Sequence, residues 1–258
     1  MQNTESVWSR RSLIVLFAKD ELRKRYRNSV LGFLWSVLEP LLLLSILVLV
    51  FSSLYRNVSI PHYTLYILLS LILWQFFVRG TTMGLNSILS KGKMVSKVYF
   101  PREILPLSSC ITSLIMTIFE LGIFSGFLIA FQFVPPATVA FLPLLLFLEF
   151  VLIVGVSLGL SVLNVYYRDV QHIWGVVAYA GFFLTPIFYS LDKLPPQAKS
   201  IILLNPMAQI IAAAHNVTLY NITPTIASLT YTAFLVFATL IVGFLIFRRL
   251  EPRVAEEI

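Results

Sequence analysis

Long apolar runs alternate with short polar gaps along almost the whole of this 258-residue chain. A helix that crosses the hydrocarbon of a bilayer needs about 20 mostly apolar residues. Six segments qualify, at 30–55, 63–79, 105–133, 140–165, 173–190 and 225–247. The second and fifth are short. In lipid only helices and closed barrels satisfy their own backbone polar groups. Runs of this length therefore predict an all-α, polytopic membrane protein with six transmembrane helices, forming one domain over 1–258.

Two further elements follow from periodicity. Before the first run, Ile14, Ala18, Leu22 and Tyr26 recur every fourth residue, on one helical face. Asp20 and Lys24, like Glu21 and Arg25, are acid-before-base pairs at i,i+4. A basic helix with an apolar face lies in the membrane interface, so an N-terminal interfacial amphipathic helix is expected over 7–28; a plain cluster of topogenic charge is the alternative. The gap 190–224 is unusually apolar, yet 201–204 and 207–214 are each too short to cross. Asn205 suits a helix N-cap and Pro206 a first helical turn. The pattern predicts helix, break, helix: an outer re-entrant helical hairpin, or two helices resting on the outer surface.

Charge orients these runs. Arg10, Arg11, Lys19, Arg23, Lys24, Arg25 and Arg27 precede the first; Lys91, Lys93, Lys97 and Arg102 follow the second; Arg168 follows the fourth; Arg248, Arg249 and Arg253 follow the sixth. The opposite gaps hold only Arg56, Lys193 and Lys199. By the positive-inside bias the basic side is cytoplasmic, with both termini there. The net charge of +7 is accounted for in this way, and nucleic acid is not an expected partner. With 58% hydrophobic and 12% charged residues the composition is that of a membrane protein rather than a soluble domain. One cysteine, Cys110, excludes a disulfide framework and a cysteine-based metal cluster. The apolar patch near the start is short, interrupted and followed by charges, so no cleavable signal is expected.

Candidate chemistry is sparse. The histidines His62, His172 and His215 are scattered, with no HExxH or GxSxG motif. Gly92-Lys93 lacks both the earlier glycine and the following hydroxyl residue of a phosphate loop, so the chain is not expected to hydrolyse ATP. Glu39, Glu120 and Glu149 interrupt apolar runs. An acid at the centre of a span costs about 2.5–3.5 kcal/mol on insertion scales, so each should face protein or water. They form either a proton relay, as in an ion-coupled carrier, or a structural set pairing with Arg79 or nearby hydroxyls. In the cytoplasmic gap at 88–104, Val98-Tyr99-Phe100 lies between basic residues, as on a partner-docking surface; a solvated loop is the alternative. Trp35, Trp74, Phe182 and Phe183 read as interfacial belt and packing, or as faces along a sugar path.

Four stretches then stand out together: DELRKRYRNSVLGFLWSVLEP at 20–40, VYFPREILP at 98–106, NVYYRD at 164–169, and TPIFYSLDKLPP through LLNP at 185–206. In order, spacing and topology the chain resembles the permease subunit of ABC-2 type exporters, in the branch that moves O-antigen polysaccharides and teichoic acids. The resemblance implies a homodimer that binds two copies of a cytoplasmic ATPase, which holds the ATP and Mg; this chain needs no cofactor and no metal of its own. It implies a glycan on an undecaprenyl-type lipid as cargo, crossing the bacterial inner membrane outward. By position, Lys97, Tyr99, Phe100, Pro101 and Arg102 would form the ATPase-coupling surface. Tyr166, Tyr167, Arg168 and Asp169 would lie at the cytoplasmic gate, and Trp35, Trp74, Phe182 and Phe183 along the path. Arg23, Lys24, Arg25 and Arg27 are placed to attract the lipid pyrophosphate. A membrane-embedded enzyme acting on lipid-linked sugars is a third reading.

Overall fold

The computed structural model describes residues 11–26, 34–54, 60–92 and 100–254. These residues form helices and turns, with no strand among them. In chain order the helices are α1 (Arg11–Tyr26), α2 (Trp35–Leu54), α3 (Tyr63–Asn86), α4 (Ile104–Ala130), α5 (Leu142–Tyr166), α6 (Val170–Leu184), α7 (Pro196–Ile202), α8 (Pro206–Leu219) and α9 (Ile226–Leu250). Four are long and apolar enough to cross a bilayer: α3, α4, α5 with the short turn that leads into it, and α9 with the turn that follows it. The remaining two runs form shorter apolar helices. One is Leu38–Val50 within α2, which carries Pro40 inside it, and the other is α6. At 1.5 Å per residue, α6 is only about 22 Å long.

Helix α3 is the axis of the molecule. From Leu65 to Leu73 every residue is buried, as expected of a helix that is hydrophobic all round. Around it pack α2, α4, α5, α6 and α8. The expectation of a run ending at residue 79 is corrected: α3 continues to Asn86. The extension is rich in small and polar residues, which lowers its hydropathy and lets neighbours approach. A Cβ built on Gly80 would lie 2.6 Å from Ile153 Cγ2, and one on Gly84 would lie 2.4 Å from Ser157 Cβ. Arg79 is thereby placed within the helix instead of at its end.

The fifth run is also corrected. α6 stops at Leu184, and residues 185–189 are not helical, although Thr185, Pro186, Ile187 and Phe188 are buried. Pro186 disfavours helical geometry at Thr185 and has no N–H to donate. The carbonyls left over are taken up by α3. The Tyr66 hydroxyl donates to Tyr189 O at 2.8 Å and Pro186 O at 3.2 Å, and the Tyr63 hydroxyl to Phe188 O at 3.1 Å.

The helix-break-helix pattern after residue 190 is present. α7 and α8 meet at a bend of 107°. Asn205 caps α8, its side chain accepting from Met207 N–H at 3.0 Å, while its amide donates to Thr185 Oγ1 at 3.3 Å. α8 buries Met207, Ile210, Ile211, Ala214 and Val217 in the core, while α7 buries none of its residues. α1 buries Ile14, Phe17 and Ala18 and packs along α4, where the Ser109 hydroxyl donates to the Glu21 carboxylate at 3.0 Å. Its other face exposes Val15, Leu16, Lys19 and Arg23.

The closest approach joins α5 to α9. A Cβ on Gly243 would fall 1.9 Å from Gly155 O, and one on Gly155 would fall 2.6 Å from Leu240 Cα. Backbone-to-backbone contact of this kind is how helices pack where lipid supplies no hydrophobic drive between them. Gly155→Ala and Gly243→Ala are each expected to lower stability by about 1–3 kcal/mol through overpacking, measured as detergent-solubilised unfolding followed by circular dichroism. Gly122→Ala, where a Cβ meets nothing within 4 Å, is expected to leave the midpoint unchanged.

Candidate functional site

At the end of the bundle where α3 and α9 finish, several of the expected site residues converge. Arg102 donates from its guanidinium to Glu251 O, and the Tyr166 hydroxyl donates to Leu250 O at 2.8 Å. The last carbonyls of a helix have no partner within it. Here they are satisfied by one residue of the expected coupling segment and one of the expected gate. Phe100 is buried, 6.1 Å ring to ring from Phe17 of α1, in an apolar cluster with Ile14, Ile88, Val162, Phe247 and Val254. Lys91 Nζ sits 4.4 Å from the centre of the Phe17 ring. The side chains of Phe100 and Arg102 are thus engaged with the protein's own interior, and Pro101 is half-buried beside them. Burial raises the Glu103 carboxyl above its ordinary range, against the pull of Arg248 and with a smaller push from Glu251. Tyr167, Arg168 and Asp169 are exposed, and Asp169 O accepts from Ile173 N–H at the start of α6. Arg23 is exposed. The side chains of Lys24 and Arg25, and the whole of Arg27, Lys97 and Tyr99, lie outside the described residues.

The three acids of the apolar runs have three different environments. Glu120 is 1% exposed and grips Arg79 with both oxygens, at 2.5 and 2.8 Å. Thr117 Oγ1 accepts from the same guanidinium at 3.1 Å and Ser113 Oγ at 3.4 Å. For Glu120 this is the structural pairing with Arg79 and nearby hydroxyls. Glu39 is exposed and lines a crevice of about 230 Å3 together with Gln75, Arg79 and Thr82. Glu149 is fully buried in α5, with neither oxygen hydrogen-bonded among the described residues. Arg79 brings Glu39 and Glu120 to one place on α3; Glu149 is not among the residues lining that crevice.

Three of the four path aromatics cluster. Trp74 lies 6.2 Å from Phe182, and Phe182 lies 5.4 Å from Phe183. Phe77, Trp174 and Phe188 extend the group. Trp35 is exposed on α2 and shares no ring contact with them among the described residues. Beside the cluster a groove of about 420 Å3 runs between α3, α6, α7 and the start of α8, lined by Trp74, Trp174, Ala178, Gly181 and Ile201. A Cβ on Gly181 would meet the Trp74 ring at 2.9 Å, so this glycine lets α6 lie against the indole. α6 buries only Ala178 and exposes Ile173, Val176, Val177, Tyr179 and Phe183.

Two features escape a reading of the sequence. One is the use of Leu250 and Glu251 as an anchor, which only α9's position reveals. The other is a buried polar knot in which His215 Nε2 lies 2.7 Å from Ser70 Oγ and its ring stacks on Tyr66 at 3.6 Å. Tyr66 and Ser70 stand at i,i+4 on α3, which was the available signal.

Residues 12–219 match the family model described as ABC-2 type transporter. The chain belongs to that family. Among its relatives, an O-antigen export system permease protein of Klebsiella pneumoniae is 30% identical over 248 residues, covering 95% of this chain and 94% of its own. The O-antigen export system permease protein of Myxococcus xanthus is 30% identical over 205 residues, covering 79% and 78%. The polysialic acid transport protein KpsM of Escherichia coli is 24% identical over 243 residues, covering 90% of each chain.

Removing one partner of a buried ion pair leaves an uncompensated charge. Glu120→Ala is expected to destabilise the protein by about 3–5 kcal/mol. The double change Arg79→Met with Glu120→Leu should recover most of that loss, since an apolar pair of similar volume needs no partner. Unfolding midpoints of the single and the double variant in one detergent measure this.

Proposed function

We propose that this chain is the membrane-spanning subunit of an ATP-driven exporter that moves a lipid-linked polysaccharide, O-antigen-like or teichoic acid, from the cytoplasmic to the outer face of the bacterial inner membrane. The observation that carries the reading is the near end-to-end similarity to O-antigen export permeases, over 95% of this chain. In this reading α2 and α6 join the four longer helices to make six crossings, with both termini cytoplasmic as the lysine and arginine distribution requires. The α7–α8 pair enters and leaves from the outer side. Its 107° bend and the burial of α8 support that arrangement over one resting on the surface.

The chain works as a homodimer. The exposed apolar length of α6 gives a symmetric partner a surface to cover, and two copies supply a wider conduit than one. Two copies of a cytoplasmic ATPase, binding ATP and Mg, dock at the segment at 88–104. Phe100 and Arg102 hold that segment to α1 and to the end of α9, so that movement of the docked partner reaches the bundle. Tyr166 to Asp169 form the inner gate, Arg23 to Arg27 attract the pyrophosphate of the lipid carrier, and Trp74, Phe182 and Phe183 border the sugar path.

Cells lacking the chain are expected to accumulate polymer inside and to lose it from the surface, and the purified chain to carry the ATPase with it. Arg102→Ala should release the anchor and lower surface polymer about tenfold or more while the chain remains in the membrane. Surface polymer is read with a polymer-specific antibody or lectin. Export that survives ATP depletion but stops when the proton gradient is dissipated would overturn this reading in favour of an ion-coupled carrier using Glu39, Glu120 and Glu149.

A further inference from the structure

One face of α9 is turned away from the protein and changes character along its length. At about 100° per residue, the helix's buried residues, Thr232, Val236, Gly243 and Phe247, fall on one side. On the opposite side Ile241, Val242 and Leu245 are exposed, and the same stripe continues into Arg248 and Arg249, which are exposed as well. Basic residues in a last helical turn ordinarily serve its terminal carbonyls. Here the carbonyls of Leu250 and Glu251 are already taken by Tyr166 and Arg102. Arg248 lies instead with its guanidinium carbon 5.1 Å from the centre of the exposed Phe244 ring, so its charge is held on the stripe. The acid within its electrostatic reach is Glu103, whose charged form burial disfavours. Arg249, and Arg253 in the turn beyond, engage no hydrogen-bond or ion-pair partner among the described residues.

An apolar stripe that ends in exposed cations complements a molecule with acyl chains at one end and negative charge at the other. We propose that the Arg248 end of α9 is a binding site for an anionic glycerophospholipid, with its phosphate on Arg248 and Arg249 and an acyl chain along Ile241, Val242 and Leu245. From Ile241 to Arg248 the helix rises about 10 Å, less than half of the ~30 Å hydrocarbon core, so one lipid of one leaflet reaches both parts. A soluble acidic protein would match the arginines and leave the stripe bare. A second copy of the chain, set symmetrically on this face, would bring its own arginines at the same depth against these. The site rests on α9 crossing the bilayer. Only its assignment to the cytoplasmic leaflet rests on the orientation proposed above.

The test uses the full chain in phosphatidylcholine nanodiscs containing a trace of lipid with a photoactivatable acyl chain, either phosphatidylglycerol or phosphatidylcholine. Adducts on the 241–245 stretch are counted by peptide mass spectrometry. An arginine beside an anionic headgroup contributes about fivefold, so the phosphatidylglycerol probe is expected to label this stretch about tenfold or more over phosphatidylcholine. The preference should shrink as salt is raised. Arg248→Gln with Arg249→Gln should reduce it to the phosphatidylcholine level. Arg249→Gln alone, which removes a side chain with no partner to lose, should reduce it about fivefold with the unfolding midpoint unchanged. Lys193→Gln, the same change of charge at an exposed residue of the other bundle end, should leave it intact. Equal labelling by the two probes overturns the site, as does a preference that survives both arginine variants. So does a stretch that neither probe labels, which would mean that another protein surface covers it. Because neither ATPase nor polymer is present, the result stands apart from the export reading: a chain that exports nothing yet prefers phosphatidylglycerol at this stretch keeps the site and loses that reading.

Discussion

Polar groups within apolar helices must find their partners inside the protein, because lipid offers none. Helix α3 shows how this chain meets that constraint. Several of its polar residues bridge to neighbouring elements: Tyr63 and Tyr66 to the 185–189 segment, Ser70 to His215 of α8, and Arg79 to Glu120 of α4. A helix sheathed in leucine and isoleucine would otherwise be free to rotate or slide against similar surfaces. The hydrogen bonds fix its register, and the close glycine contacts of α5 with α3 and α9 set the spacing around it. The apolar cluster supplies area, and the polar contacts supply uniqueness.

Much of this was legible from residue pattern, and the parts that were not have identifiable causes. The apolar runs marked the long helices because hydrophobic length is what a bilayer selects. Run ends were misplaced where local chemistry departs from hydropathy. Gly80, Thr81, Thr82 and Gly84 look like a polar gap, yet they continue α3 because small residues pack closely against α5. Pro186 looks harmless inside an apolar stretch, yet it ends α6 six residues early and turns the chain into the core. Asn205-Pro206 was read correctly as a break because N-cap and N1 preferences are local and need no tertiary information.

The candidate sites divide in the same way. That an intramembrane acid would seek a partner followed from the cost of burying it, and Glu120 with Arg79 shows this. Which acid would do so depended on helix rotation, which sequence spacing alone does not give; Glu39 and Glu149 carry the same formal charge in quite different surroundings. Trp74, Phe182 and Phe183 were grouped by type and do meet, whereas Trp35 was grouped with them and stands on another surface. Phe100 and Arg102 were picked out as a surface for another protein, but their side chains are occupied within this one, against α1 and the final helix.

Arg102 and Tyr166 hold consecutive carbonyls, those of Glu251 and Leu250. Residues 102 and 166, distant in sequence, thus share one anchorage: two adjacent peptide units joined at the Glu251 Cα. Loosening the last turn of α9 would therefore free both segments at once, because each is tied to a carbonyl of that turn.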